Sequence, residues 1–367
     1  MVGKKELVLS SAAVAVLAGA WYMWSQRQGA EEHADENIRR PGKVDPDAKS
    51  KKGIMEAIKA LNEKYPKLLP RTFFASKLYN PLAVRFLQFN MLAQGLSSSP
   101  EYGGFRKSPR EALDFASFRK FRLLEEMIRF SPDVLAVEEM DHFDDFFLPA
   151  LSHFGYEGVF FPKLNSPCLK FGDSNYSDGC ALFWKSDMLS LASRKDIRYE
   201  STDSSVWSQV AILARLKTVR SGRTFLVGVT HLKSKEGEKN EKRRTESLKQ
   251  LLQHASETKN SHEPVVILGD FNTDAEGHDY LSTYKTIMEH PLGLKSAYRT
   301  NSKEPEYTTC KVRKQETCHT IDYIWVPEDT VILSKLEIPD KSSLPDCRLP
   351  CFEYPSDHLS IGCDVLF

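Results

Sequence analysis

The chain has no surplus of charge of either sign: 50 lysines and arginines stand against 50 aspartates and glutamates in 367 residues. A dedicated duplex-DNA binder normally carries a strongly basic domain, so the balance argues against that class while leaving room for a local cationic pocket. Seven cysteines, at 168, 180, 310, 318, 347, 351 and 363, include no CxxC pair and no histidine at zinc-finger spacing. A closed structural zinc site is therefore not expected, and most of the odd, scattered set read as buried thiols in a reducing compartment. The sequence also lacks a glycine-rich nucleotide loop, a G-x-S-x-G elbow and any internal repeat. What is present is globular: 41% hydrophobic and 27% charged residues, enough apolar mass for a sizeable core in one large domain or two ordinary ones.

Residues 7–24, LVLSSAAVAVLAGAWYMW, run without a charge. As a helix this stretch would be roughly 27 Å long, close to the hydrocarbon thickness of a bilayer. Trp21, Tyr22 and Trp24 gather at one end, where an aromatic belt would sit. A membrane anchor over residues 1–25 is the expectation. A signal peptide (AGA at 18–20 resembles a cleavage site) and a presequence are the alternatives. Residues 26–70 are expected to be a charged linker with one short amphipathic helix, and residues 25–53, dense in charge and containing Pro41 and Pro46, read as solvated. Within them, IMEAIKALNEKY places Ile54, Ile58 and Leu61 at helical spacing, with Pro66 as a stop. That short helix lies either on the domain or on a membrane surface. A single catalytic domain is expected over 71–367.

VVILGDFNTD, residues 265–274, poses the central question, because four apolar residues run into Gly269 and then present Asp270 and Asn272. An unpaired carboxylate near a core is costly unless something binds it. A turn rich in aspartate and asparagine explains one such ending. The design recurs, however. VRFLQFN ends at Asn90, DVLAVEE at Glu138 and Glu139, and FLVGVTHLK at His231 and Lys233; TIDYIWV opens near Asp322, and SDHLSIGCDVLF opens on Asp357 and His358. Helical patterns lie between them, at 118–130 and 243–256. Strands mixed with helices point to an α/β layered sandwich with a site at the rim of a sheet.

The chemistry of these endings is oxygen-rich. Glu139 beside the amide of Asn90 suits Mg²⁺ or Mn²⁺, which keep several waters and bridge to a phosphate. Asp322 and His358 can pair, the carboxylate fixing the tautomer and supporting a charged ring. Asp270 can orient or deprotonate a water, with Asn272 holding that nucleophile or a phosphoryl oxygen. Together they describe metal-assisted hydrolysis of a phosphate ester.

In order along the chain, QFNMLAQ, LAVEEMDHF, SDGCALFW, THLKSK, GDFNTD, HTIDYIW and YPSDHLS resemble the endonuclease/exonuclease/phosphatase superfamily, and within it the deadenylase-related branch. The resemblance covers about residues 84–367. It implies a four-layer αββα sandwich with the site where two sheets meet at one edge. Carried over, Glu139 becomes the principal Mg²⁺ ligand with Asn90 close by, and Asp270 and Asn272 position water and phosphate. His358 contacts the phosphate with support from Asp322, Asp357 lies beside the metal region, and Asp178 and His231 complete the phosphate-facing shell.

The branch includes both messenger-RNA deadenylases and an enzyme understood to remove the 2′-phosphate of NADP⁺ and NADPH. The resemblance favours the second activity here, with Lys163, Lys233, Lys235 and Arg313 on the substrate's phosphates. A poly(A)-specific 3′-exonuclease and a catalytically inactive tethered binding protein are the rivals. The branch also suggests a mitochondrial membrane, with an endoplasmic reticulum or other endomembrane as the rival. Three positions depart from the family pattern: Glu138 replaces a Gln and is expected to alternate away from the site, Lys235 stands where Arg is frequent, and Ser208 replaces an Asn that touches ligand.

Overall fold

A computed structural model of the chain describes residues 38, 43–75, 80, 82–97, 104–170, 176–201, 204–275 and 282–367. The apolar run at 7–24 lies outside them. Among the described residues no helix is long and apolar enough to cross a membrane.

Among the described residues there are fifteen strands: β1 (Phe73–Ala75), β2 (Val84–Asn90), β3 (Val134–Met140), β4 (Tyr156–Pro162), β5 (Gly179–Lys185), β6 (Leu189–Glu200), β7 (Val206–Thr218), β8 (Thr224–His231), β9 (Val265–Asp270), β10 (Leu294–Ser296), β11 (Thr309–Val312), β12 (Glu316–His319), β13 (Asp322–Pro327), β14 (Val331–Leu336) and β15 (Ile361–Leu366). The first sheet orders them β1-β14-β15-β2-β3-β5-β4, the second β10-β13-β9-β8-β7-β6, and β11 with β12 forms a separate ribbon. Pairing is antiparallel except at β2–β3 and β8–β9.

Strand alternation accounts for the layers. Phe86, Val134, Ala136 and Leu182 of the first sheet meet Val210, Ile212, Val229, Val266, Leu268 and Ile324 of the second in one apolar interface. The opposite face of the first sheet, with Leu87, Phe89, Leu135 and Val137, is covered by helices α1 (Lys51–Lys64) and α2 (Lys120–Ile128). The outer face of the second, with Leu213, Leu226 and Ile267, is covered by α3 (Glu238–Thr258), which contributes Leu248, Leu251 and Leu252. Two sheets back to back between helices make the expected αββα sandwich.

Two expectations need correction here. Residues 43–53, read as solvated linker, belong to this body, and the short helix that follows lies on the domain, one of the two placements the sequence left open. Ser50 caps α1 by accepting from the Gly53 N–H at 3.1 Å, and Ile54, Ile58 and Leu61 enter the core beneath the first sheet. Lys120 holds Asp45 and Asp47 at 2.9 and 2.7 Å. The second correction concerns thiols: Cys310 and Cys318 sit opposite each other in the β11–β12 ribbon and form a disulfide. A pair eight apart in sequence carries no motif, and cross-strand register alone brings it together.

Candidate active site

Continue the inter-sheet face of each central strand to its end and the apolar residues give way to polar ones. Phe86 leads to Gln88 and Asn90, Ala136 to Glu138, Val229 to His231, Val266 and Leu268 to Asp270, and Ile324 back to Asp322. All six of these polar side chains are buried. The sandwich therefore gathers polar groups at one rim of its own core.

Glu139 is brought there by a distortion. Regular alternation would send it to the helical side, but the register with β5 shifts between Glu138 and Met140, and Glu139 has φ +56°. A bulge of this kind re-aims one side chain at a strand end. Its carboxylate accepts from the Asn90 amide at 3.2 Å and from the Ala93 N–H at 3.1 Å. The Asn90 amide also donates to Asp270 at 2.9 Å. On β9, Gly269 has φ +155°, and a Cβ there would lie 1.9 Å from the Thr230 carbonyl oxygen, so only glycine fits beside β8. Asn272, with φ +51°, donates its backbone N–H to Asp270 and its amide to the Leu232 carbonyl.

His358 faces this centre from the segment before β15. Its Nδ1 lies 2.9 Å from Asp322 Oδ2, and its Nε2 lies 3.9 Å from Asp270 and 4.0 Å from Asp357. Burial opposes the charged ring, yet Asp322 and Asp357 outweigh it and push its pKa up to about 9. Asp270 moves to about 7, raised by burial and then by Asp322, with His358 and the Asn90 bond pulling the other way. Asp357 is buried, but Lys311 at 2.6 Å, His358 and Arg313 hold it well below the usual carboxylate range. On the far side Lys163 bonds Asp178 and reaches His231 Nδ1 at 3.1 Å, while His231 Nε2 lies 3.5 Å from Asp270. Burial, then Lys163 and His358, push His231 well below its ordinary value, so it is neutral.

Of the residues singled out from sequence, Asn90, Glu139, Lys163, Asp178, His231, Asp270, Asp322, Asp357 and His358 thus form one connected set. Arg313 sits at its edge, 3.8 Å from Asp357 and over the Phe105 ring. Among the described residues, Ser208, Lys233 and Lys235 make no side-chain bond to that set. Ser208 bonds only its neighbour Gln209, and Lys233 joins through its electrostatic coupling to Lys163.

Glu138 does not alternate away. It is fully buried on the inter-sheet face directly behind the centre, because the bulge lets successive carboxylates serve both core and rim. Burial, reinforced by Asp322 and Asp270, raises its pKa well above the ordinary carboxylate value. Four further groups escaped the sequence reading. Gln88 donates to Glu138 at 2.7 Å and to Asp322 at 3.1 Å, and Thr308 donates to Asp322 at 2.6 Å. Lys311 holds Asp357, and buried Arg119 ties down the carbonyls of Met91 and Leu92 just after Asn90. The strand alternation that exposed Asn90 could have found Gln88, two residues earlier on the same face. The other three carry no local signal.

The donor set Asn90, Glu139 and Asp270 is all carboxylate and amide, which fits a hard divalent cation rather than a soft one. Asp270, Asp322 and His358 also place ligand atoms within 4.8 Å of one another. Residues 87–358 match the endonuclease/exonuclease/phosphatase family. The chain belongs to that family. Nocturnin of Mus musculus is 37% identical over 328 residues, covering 86% of this chain and 74% of that protein. The structure of the human Nocturnin catalytic domain with bound sulfate anion is 34% identical with a TM-score of 0.64, over 81% of this chain and 97% of that one. The CCR4-Not complex 3′-5′-exoribonuclease subunit Ccr4 of Debaryomyces hansenii is 26% identical over 322 residues, 75% of this chain but 38% of that protein. Family membership makes this chain a hydrolase of the phosphodiesterase or phosphatase type.

Proposed function

We propose that the chain is a Mg²⁺-dependent phosphatase that removes the 2′-phosphate of NADP⁺ and NADPH, giving NAD⁺ and NADH. The observation that carries this reading is the compactness of the cationic set. Lys163, Lys311 and Arg313 converge on one buried carboxylate–imidazole centre, which suits a dinucleotide with three phosphate groups. An A-tract calls for an extended basic groove with stacking platforms.

Glu139 and Asn90 would hold the cation, Mg²⁺ or the similar Mn²⁺, which would supply charge neutralisation at the phosphoryl oxygens. The chain's own groups do the rest. Asp270, near neutrality in its pKa, can take a proton from an attacking water that Asn272 helps to place. His358, kept cationic by Asp322, donates to a phosphoryl oxygen as negative charge develops. Lys163, fixed by Asp178, offers a second positive group, and His231 beside it presents a neutral imidazole.

The full chain with Mg²⁺ and NADPH is expected to release inorganic phosphate. Glu139→Ala should lower that rate by at least about 100-fold and abolish any rise in melting temperature on adding Mg²⁺. An undiminished rate overturns the metal assignment. The apolar run at 7–24 is proposed as a membrane tether, mitochondrial by preference. Release of the full chain into the supernatant on alkaline carbonate extraction overturns a spanning helix.

A further inference from the structure

One cation beside the site has no anionic partner among the described residues. Arg243, near the start of α3, lays its guanidinium over the Trp207 ring with Cζ 4.6 Å from the centroid. Its Nε is buried and finds no acceptor. Burial draws its pKa below the usual value with no acidic neighbour to offset it. The next residue behaves in the opposite way: Arg244 is locked to Glu241 at 2.6 Å and to the carbonyls of Lys233 and Lys235.

The charges that act on Lys233, next to the site, are positive, and Arg243 is among them. After burial, it is the foremost influence depressing Lys233, followed by Lys235 and Lys163. Ala211 pairs with Thr230 in the antiparallel β7–β8 ladder, so the start of β7, with Trp207, runs beside the residues that follow His231. Cations crowded without a counter-charge repel one another, and an anion entering among them relieves that repulsion. A guanidinium held over an indole has already lost part of its rotamer freedom, which lowers the entropy cost of gripping a ligand. Its planar fork matches two oxygens of a phosphate, which an ammonium cannot do.

We infer that Arg243, propped on Trp207, is a specificity-determining residue that grips a non-reacting phosphate of the substrate, the 5′-pyrophosphate that a dinucleotide carries and a nucleoside monophosphate lacks. This rests on the dinucleotide phosphatase reading. It adds a residue contributed by α3 to a site otherwise built from strand ends and loops.

Steady-state kinetics of the full chain with Mg²⁺ test it, using NADPH and adenosine 2′-monophosphate as substrates. Arg243→Ala is expected to raise KM for NADPH by about 10- to 100-fold with kcat within about threefold, and KM for adenosine 2′-monophosphate by less than about threefold. Trp207→Leu should move KM for NADPH the same way by a smaller factor, Arg243→Lys should recover only part of the loss, and exposed Lys249→Ala on the same helix should match wild type. An equal rise for both substrates, an unchanged KM for NADPH or a collapse of kcat overturns the assignment. If wild type hydrolyses neither substrate, the phosphatase reading fails and thermal shift with inorganic pyrophosphate decides the grip separately. Stabilisation that disappears in Arg243→Ala supports it, and equal stabilisation of wild type and variant overturns it.

Discussion

His358 shows how single side chains are set to a task at this site. Nothing in its sequence neighbourhood beyond Asp357 announces a charged imidazole, yet Asp322, 36 positions earlier, lies 2.9 Å from its Nδ1. Its folded pKa of about 9 exceeds the value of roughly 6.5 expected in the unfolded chain. A group raised in this way contributes stability that is fully present below pH 6.5 and is lost as pH rises through about 9. The difference in urea midpoint between the metal-free wild type and His358→Gln should therefore shrink steadily across that window. A difference that is flat or grows with pH contradicts the pairing. Asn90, His231, Asp270 and Asp322, which the structure gathers at one rim, share one property visible in the sequence: each is a polar group at the end of an apolar strand, with no core partner to satisfy it. Gln88 was legible as the polar residue two before Asn90 on the same strand face, whereas Thr308 was not, because its work is done behind Asp322, where tertiary contact decides. Lys311 was missed because its partner, Asp357, arrives from another loop.

Elements contribute where they depart from regularity. The bulge at Glu139 and the extended glycine at 269 each put a carboxylate at the rim, and Gly269 leaves no room for any side chain. Gly269→Ala is expected to cost more than about 3 kcal/mol in urea unfolding, because the Thr230 carbonyl is backbone and must be displaced. A loss under about 1 kcal/mol would show that β8 and β9 can part locally. Helix α1 makes the complementary point. Its surface is dense in lysine and glutamate, and its periodicity was visible in the sequence, but periodicity alone does not say what the apolar stripe faces. With Ile58 buried against the core, Ile58→Ala should destabilise the protein by about 2–4 kcal/mol. A change within about 0.5 kcal/mol, the size ordinary for exposed positions, would mean that α1 is not part of the cooperative fold.

At the scale of the whole molecule, function follows from stacking two sheets so that the ends of β2, β3, β8 and β9 and the start of β13 open on the same rim. Those segments and the loop before β15 lie scattered between residues 84 and 358, and no local pattern could have paired them. The class was legible because each strand and each long helix carries its own period. The parallel β2–β3 and β8–β9 contacts and the separate disulfide-bonded ribbon were not, since crossovers and cross-strand neighbours leave no mark in a local window.

The same rim must also choose its substrate, and that choice separates the proposal from a nuclease built on identical chemistry. The full chain with Mg²⁺ should be given NADPH and, in parallel, a 5′-labelled A-tract, with phosphate and NADH quantified against shortened RNA. One phosphate and one NADH formed per NADPH consumed, with the A-tract intact at the same enzyme concentration, is the predicted result. Progressive shortening of the RNA with NADPH untouched would contradict it.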